Sequence, residues 1–355
     1  MHIASLAIRN LRVIESLEIA PDPGINFIVG GNGAGKTSIL EAIYLAGRGR
    51  TFRHKDAGPM IRRGAENVTV VVGIENRGRD GRSTLGLRRE RRQLICRLDG
   101  KDVKKRSVLA EALPVQWIGS QPQLLLTMGP EIRRRFIDMG LFHVEHSYLR
   151  LVNEFQRALR QRNAAIRTGD PTAVTIWDAS FCEGAARMNE YRERFVRNLT
   201  NILTVEFSSW TDGYTLGFRF KRGWNAQHDL ADQLKINLDT DLRMGYSTRG
   251  PQRGDLEILA DGAAAEKILS RGQQKVLVLA MNLALARMIS ESKGDTPILL
   301  IDDLAAELDM ENRKRLLDEF MKASGQVFLT KIEDSALKLD SSDAKTFHVE
   351  HGTIK

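Results

Sequence analysis

The chain has 355 residues, which as a soft rule means about two domains, and its 42% apolar and 28% charged residues support a packed core and exclude a disordered chain. Lys and Arg number 53 against 45 Asp and Glu, a net charge of +8 with a pI near 9.5. Two cysteines, Cys96 and Cys182, with no C-x-x-C, exclude a disulfide framework and a zinc finger and fit a reducing compartment. The N-terminus lacks the layout of a signal peptide, and the longest apolar stretch, 276–286, is too short to span a bilayer. A cytoplasmic chain without membrane contact is expected.

In chain order, 3–8 and 25–29 read as short strands, followed by glycines and a helical pattern over 36–46 with Ile39, Leu40, Ile43 and Tyr44 on one face. Segments 68–75, 83–88 and 93–98 are β-rich and separated by turn residues, which predicts antiparallel hairpins. Residues 48–106 hold 18 Lys or Arg against 7 Asp or Glu, so one segment carries the entire positive excess. Arg88, Arg89, Arg91 and Arg92 and then Lys104-Lys105-Arg106 are its densest runs, the footprint of a polyanion binder or of a solvated face. From 130 to about 203 the pattern is helical, with a stop at Thr168-Gly169-Asp170-Pro171. Strands are expected at 214–221 and 255–259, a strong helix at 270–289, a buried strand at 297–301, a helix at 312–321 and a strand at 326–330. A β-α-β rhythm at both ends with helices between predicts one α/β domain interrupted by a helical insertion.

Gly30-Gly31-Asn32-Gly33-Ala34-Gly35-Lys36-Thr37 matches G-x-x-x-x-G-K-[ST] between a predicted strand and a predicted helix. Glycines at this spacing let backbone N–H groups turn inward around phosphates, and the helix N-terminus adds its positive end. Lys36 is placed for the β/γ-phosphates of a nucleotide and the Thr37 hydroxyl for Mg²⁺. Ile298-Leu299-Leu300-Ile301-Asp302-Asp303 is an apolar strand ending in two carboxylates. Asp302 is the candidate metal holder and Asp303 the candidate for polarising an attacking water, with a helix cap as the bland alternative. Leu269-Ser270-Arg271-Gly272-Gln273 opens the strong helix and offers a hydroxyl and N–H groups to an anion.

These phrases together resemble the ABC-type ATPases, with Ser270, Gly272 and Gln273 in the signature and Glu307-Leu308-Asp309 similar to the D-loop. In that class the signature faces the P-loop of a second subunit, so the resemblance implies an ATP-dependent homodimer. The stretch between P-loop and signature is longer than transporter ATPases usually have, yet far too short for a long coiled coil. Ile8-Arg9-Asn10-Leu11-Arg12 resembles the SMC-like branch. Arg133-Arg134-Arg135-Phe136-Ile137-Asp138, Gln161-Arg162-Asn163 and Gly250-Pro251-Gln252-Arg253 then resemble the RecF family of bacterial recombination and gap-repair proteins, over essentially the whole chain.

That resemblance implies an α/β ABC-type P-loop ATPase head, a mixed sheet with an antiparallel lobe, over 1–125 and 245–355, and an inserted helical arm over 126–244. It implies ATP and Mg²⁺ as cofactors and weak, switch-like ATP hydrolysis. It further implies binding to single-stranded and duplex DNA at gaps and junctions, and work with RecR and RecO to load recombinase in DNA repair, replication restart and the SOS response to DNA damage. Asp303 stands where a typical ABC site has Glu, which suits slow hydrolysis, and no histidine occurs at Thr330-Lys331-Ile332 where a switch loop would fall. The Q-loop metal ligand is Gln123 or Gln121. A transporter ATPase subunit is the alternative from another class.

Lesser expectations are that Arg48, Arg50 and Arg53 contact DNA or nucleotide, that one of Arg133-Arg134-Arg135 pairs with a carboxylate such as Asp138, and that Trp117, Trp177, Trp210 and Trp224 serve the core.

Overall fold

The computed structural model describes residues 1–53, 58–75, 81–207, 210, 213–303, 310–322, 325–331 and 344–355. They divide into two compact units, Met1–Pro122 with Ala286–Lys355, and Gln123–Leu285.

The first unit carries two sheets. The antiparallel one has the order β2-β1-β4-β5-β6-β7, with β1 (His2–Leu11), β2 (Ile14–Ile19), β4 (Asn67–Glu75), β5 (Arg82–Glu90), β6 (Leu94–Leu98) and β7 (Lys101–Asp102). Ile3, Leu6, Ile8 and Leu11 point into its core, as do Val68, Val70 and Val72 opposite, so alternation sets the register. The second sheet is largely parallel, in the order β15-β14-β3-β13-β12-β8. Its members are β3 (Ile25–Val29), β8 (Val115–Ile118), β12 (Ile298–Ile301), β13 (Val327–Lys331), β14 (Ala344–Glu350) and β15 (Thr353–Ile354). Strands β3 and β12 are buried at every position, as expected where both faces of a parallel sheet are covered. Gln326 joins the sheets: its side chain accepts from the Ile3 N–H at 2.7 Å and donates to the Ile3 carbonyl at 2.9 Å.

Helix α1 (Lys36–Arg48) buries Ile39, Leu40 and Ile43 in the core shared by these sheets. Within it Glu41 is fully buried and accepts from Arg12 at 2.5 and 3.0 Å, and from the Thr51 hydroxyl. Helices α2 (Arg106–Ala112) and α12 (Met310–Lys322) also belong to this unit.

The second unit is built on α4 (Pro130–Val144), α5 (Tyr148–Thr168) and α7 (Asp178–Glu206), with a short α3 (Leu124–Thr127) ahead of them and α6 (Pro171–Thr175) between the last two. The expected stop is where the structure has it: Gly169 ends α5 in the left-handed region and the Asp170 side chain caps α6 by accepting from the Thr172 N–H at 2.9 Å. Strands β9 (Leu216–Lys221) and β10 (Asp255–Ala260) pair antiparallel, flanked by β11 (Ala263–Ala264), with α8 (Leu230–Ile236), α9 (Leu238–Met244) and α10 (Ala265–Ile268) beside them in sequence. Residues 245–285 fall in the same compact unit as 126–244, and β9 pairs with β10 within it. Helix α11 (Arg271–Lys293) carries the chain from one unit to the other.

As expected, at least one arginine of the α4 triplet pairs with a carboxylate, though that carboxylate is not Asp138. Arg133 forks onto Asp255 at 2.7 and 3.0 Å, Arg134 donates to the Gly254 carbonyl, and Arg135 pairs with Glu131 one turn back. Asp138 is taken instead by Arg192 at 2.9 Å to each oxygen and by the Tyr148 hydroxyl at 2.6 Å. Burial and the neighbouring carboxylate push the Tyr148 phenol well above its ordinary pKa, so it stays a donor.

Candidate nucleotide site

The glycine loop runs from the end of β3 into α1. A side chain at Gly30 would put its Cβ 2.2 Å from the Val349 carbonyl oxygen, and Gly35 adopts φ 115°, so both positions demand glycine for different reasons. Gly35 is the N-cap of α1, and no side chain among the described residues caps that end. The first N–H groups of any helix lack intrahelical acceptors, which makes this end suited to an anion. The Lys36 ammonium folds across the loop and donates to the carbonyls of Gly30 and Gly31 at 2.7 and 2.8 Å.

Two neighbouring strands bring the acidic groups to the same place. Strand β12 lies parallel between β8 and β13, with Ile301 beside Leu329. That register sets Thr330 next to Asp302. The Thr330 hydroxyl donates to Asp302 Oδ1 at 2.7 Å and accepts from the Asp303 N–H at 2.8 Å. The Thr37 hydroxyl donates to the same Asp302 oxygen at 3.0 Å. Asp303 itself sits at φ 48°, in the left-handed region, held there by its N–H bond. The loop, Thr37, Asp302, Asp303 and Thr330 line one cavity of about 400 Å³, joined by Arg12, Arg53 and Ser120.

The donor set fits a nucleotide with a hard divalent cation. A hydroxyl and one carboxylate side by side are the usual protein share of a Mg²⁺ shell whose other ligands are phosphate and water. Among the described residues there is no group of three His, Cys, Asp or Glu that could hold a metal by itself. Thr330 and Arg12 are site residues that the motifs did not single out. In the sequence Thr330 stands only at the end of the strand predicted at 326–330, where a switch loop would fall, and Arg12 only as part of a family phrase.

The signature residues belong to the second unit, at the start of α11. Ser270 and Gln273 form a reciprocal capping box: the Ser270 N–H donates to Gln273 Oε1 at 2.9 Å, and the Gln273 N–H donates to Ser270 Oγ at 3.3 Å. Ser270 is exposed, and Gly272 and Gln273 are half-buried. Gln121 is exposed, while Gln123 ends its side chain in a buried Oε1 that accepts no hydrogen bond among the described residues. Asp309, with Glu307 and Leu308, lies outside the described residues, as does Ile332.

Of the three arginines expected at DNA or nucleotide, Arg53 is exposed and lines the cavity, and Arg50 is exposed. Arg48 is half-buried, and burial pulls its guanidinium below the ordinary pKa against the opposing effect of Tyr44. The dense basic runs lie at the edge of the antiparallel sheet. Arg91 and Arg92 are exposed in the β5–β6 turn, Arg88 is exposed with a contact to Glu90 at 3.3 Å, and Lys104, Lys105 and Arg106 are exposed after β7. Arg89 is half-buried. Among the tryptophans, Trp117 stacks on Phe52 at 3.7 Å, Trp210 is buried and Trp177 packs on a small cluster with Ile166 and Val174. Trp224 departs from the expected core role and lines an open cavity of the second unit. No helix among the described residues is long and apolar enough to cross a membrane.

A family model described as the RecF/RecN/SMC N terminal domain matches residues 2–355. The chain is 38% identical to the DNA replication and repair protein RecF of Edwardsiella ictaluri and 34% identical to that of Shewanella denitrificans, in each case over all of this chain and 99% of the relative. Among solved structures, the recombination mediator protein RecF with ATP superposes with a TM-score of 0.88 at 21% identity, covering all of this chain and 97% of that one. An Smc head bound to the C-winged helix domain of ScpA superposes with a TM-score of 0.62 at 18% identity, covering 96% of that chain. The fold is thus that of the ABC-type ATPase head of the RecF and SMC proteins, and the chain belongs to the RecF family within the RecF/RecN/SMC group.

Proposed function

We propose that this chain is an ATP-dependent DNA-binding protein of recombinational repair and replication restart, working in the cytoplasm as a homodimer that closes on ATP. The observation that carries the reading is the bond of Thr37 to Asp302, two residues 265 apart in sequence that meet at the mouth of the phosphate loop. On this reading the loop N–H groups and Lys36 hold the β- and γ-phosphates. Thr37 and Asp302 would hold Mg²⁺, with Gln123 as a further ligand, and the ion would supply positive charge to the nucleotide phosphates. Asp303, fixed through its N–H, orients the attacking water. Its short carboxylate makes hydrolysis slow, so ATP acts as a switch.

The signature residues Ser270, Gly272 and Gln273, with Asp309, complete the nucleotide site of the opposite subunit. Residues 1–125 and 245–355 serve as the ATPase head and 126–244 as the arm. The basic edge at Arg88–Arg92 and Lys104–Arg106 takes DNA phosphates, single-stranded and duplex, at gaps and junctions. RecF relatives named for DNA replication and repair, and a RecF structure described within the RecFOR pathway, support RecR and RecO as partners in recombinase loading. The transporter alternative gains no support, because the family match runs to RecF, RecN and SMC proteins over the whole chain.

A DNA pull-down with ATP against no nucleotide tests the reading, and retention should require ATP. Replacing Arg88, Arg89, Arg91 and Arg92 by Ala should weaken binding to every sequence and lower the log–log salt slope by roughly 0.9 for each duplex phosphate no longer neutralised. Unaltered binding and slope would return the edge to a solvated face.

A further inference from the structure

The second unit contains a cavity of about 730 Å³ that no nucleotide-site residue lines. Lys221, Arg222 and Trp224 reach it from the end of β9 and the loop that follows, and Tyr246, Arg249 and Arg253 from segment 246–253. Four cations meet one carboxylate, Glu193, in its lining. Glu193 is already engaged by Arg222 at 2.6 and 3.3 Å, and Lys221 is paired with Glu257. Arg249 and Arg253 are exposed and have no carboxylate partner among the described residues. The Arg253 guanidinium lies over the Tyr246 ring, 4.8 Å from its centre, and both Tyr246 and Trp224 are half-buried.

Segment 246–253 is fixed from beneath by two buried arginines. Arg162, fully buried, donates to Asp241 at 2.7 Å and to the Ser247 hydroxyl at 2.8 Å. Asp241 in turn accepts from the N–H and hydroxyl of Thr248 at 2.8 and 2.6 Å. Arg192 donates to the Pro251 carbonyl at 2.8 Å while gripping Asp138. Burying two guanidiniums is expensive, and here they fix the backbone that presents Tyr246, Arg249 and Arg253. A binding loop fixed beforehand loses little entropy when a ligand arrives.

We propose that this cavity captures single-stranded DNA, with an unstacked base against Trp224 and Tyr246 and the adjoining phosphates on Arg249 and Arg253. The inference rests on the DNA-binding reading above and adds to it a site that distinguishes single strands from duplex. A duplex hides its base faces and offers only phosphates, for which aromatic rings in a concavity have no use. An acidic peptide would use the cations and leave the rings idle. A single strand uses both, and the volume suits a small flat ligand.

The test is fluorescence anisotropy in the presence of ATP with three probes of one length: oligo-dT, an abasic oligonucleotide and a blunt duplex, with ATP affinity and melting temperature followed in parallel. Trp224→Ala should weaken oligo-dT binding roughly tenfold and leave the abasic and duplex probes within about twofold. Trp224→Phe, which keeps a ring, should recover most of the loss and guards against a folding defect. Arg249→Gln with Arg253→Gln should weaken both single-stranded probes and lower their salt slope by roughly 1.4, at about 0.7 per phosphate. Variants that bind oligo-dT like the native chain, or that lose duplex equally, overturn the site alone. So does an Asp/Glu-rich peptide whose binding falls on Trp224→Ala while oligo-dT binding does not, which would make it a protein-docking pocket. A native chain that binds none of the three probes overturns the DNA-binding reading and this site with it.

Discussion

The phosphate loop and the signature are both helix N-termini, yet they are finished differently. At α1 no side chain among the described residues caps the helix, and the groups around it are tied to fixed partners: Lys36 to two loop carbonyls, Thr37 to Asp302, Asp302 to Thr330. At α11 the exposed Ser270 and Gln273 cap each other across one turn. On the proposed reading the first end is therefore an anion site with a hydroxyl and a carboxylate beside it to serve as metal donors. The other is a rigid donor platform whose polar groups satisfy one another until a stronger acceptor meets them. On the proposed reading that acceptor is the γ-phosphate held by a second copy of the chain, so damage to the two ends should separate ATP binding from dimer closure.

The largest effect is expected at the first end. Lys36→Met removes the charge aimed at the β- and γ-phosphates and should weaken ATP binding by roughly 100-fold, with loss of the ATP-dependent dimer. Calorimetry and light scattering check the two losses. A variant that still dimerises only with ATP would contradict the role.

Ser270→Arg should do the reverse. It puts a bulky cation on an exposed helix start and leaves the phosphate loop untouched, so ATP affinity should stay within about twofold while dimerisation and ATPase vanish. Mixed with Lys36→Met in equal amounts, only heterodimers can close, each with one intact site of two, so up to about half of native activity should return if one site suffices. Nucleotide occupancy of the mixture separates a failure to dimerise from a need for both sites. Normal ATPase and dimerisation in Ser270→Arg alone would break the comparison outright.

How much of this is legible in the sequence follows from distance along the chain. The loop can be read in full because its chemistry depends on backbone shape, and backbone shape is written in local glycine spacing. Asp302 and Asp303 can be read because an apolar run ending in carboxylates is also local. Thr330 cannot, since its role exists only through the parallel register of β12 with β13, 28 residues further on. The same holds for Arg133, whose partner Asp255 is 122 residues away rather than on its own helix. Strands β2, β8 and β14 are not legible because they are short or interrupt their apolar positions with charge, as in the Lys345, His348 and Glu350 of β14. A scattered tryptophan usually belongs to the core, which is the role expected of Trp224. Only the fold shows that β9 ends beside segment 246–253.

Asp303→Asn refines the first end without dismantling it. The amide keeps the shape and loses the charge that polarises water, while Asp302 keeps the metal. ATP binding should persist and turnover should fall by roughly 100-fold, lengthening the life of the DNA-bound dimer. Single-turnover ATPase and dimer lifetime measure this, and unchanged turnover would make Asp303 a structural cap.

The smallest effect is expected at Thr330, which is buried and touches both carboxylate residues. Its hydroxyl gives a proton to Asp302 and takes one from the Asp303 N–H. Thr330→Val keeps the shape and removes both bonds. Asp302 retains the Thr37 hydroxyl, so the metal position should survive and ATP affinity should move by no more than about twofold. Asp303 loses the bond that holds it in the left-handed region, and its carboxylate loses a fixed direction. A hydrogen bond is worth about 1 kcal/mol net, so turnover should fall by roughly five- to tenfold. Thr330→Ser keeps the hydroxyl and should recover most of it. Steady-state ATPase with DNA, alongside an ATP titration, reads the two effects separately. Native turnover in Thr330→Val would reduce the hydroxyl to a strand-to-strand tie. Loss of ATP binding would mean that it positions Asp302, and the metal with it, rather than Asp303.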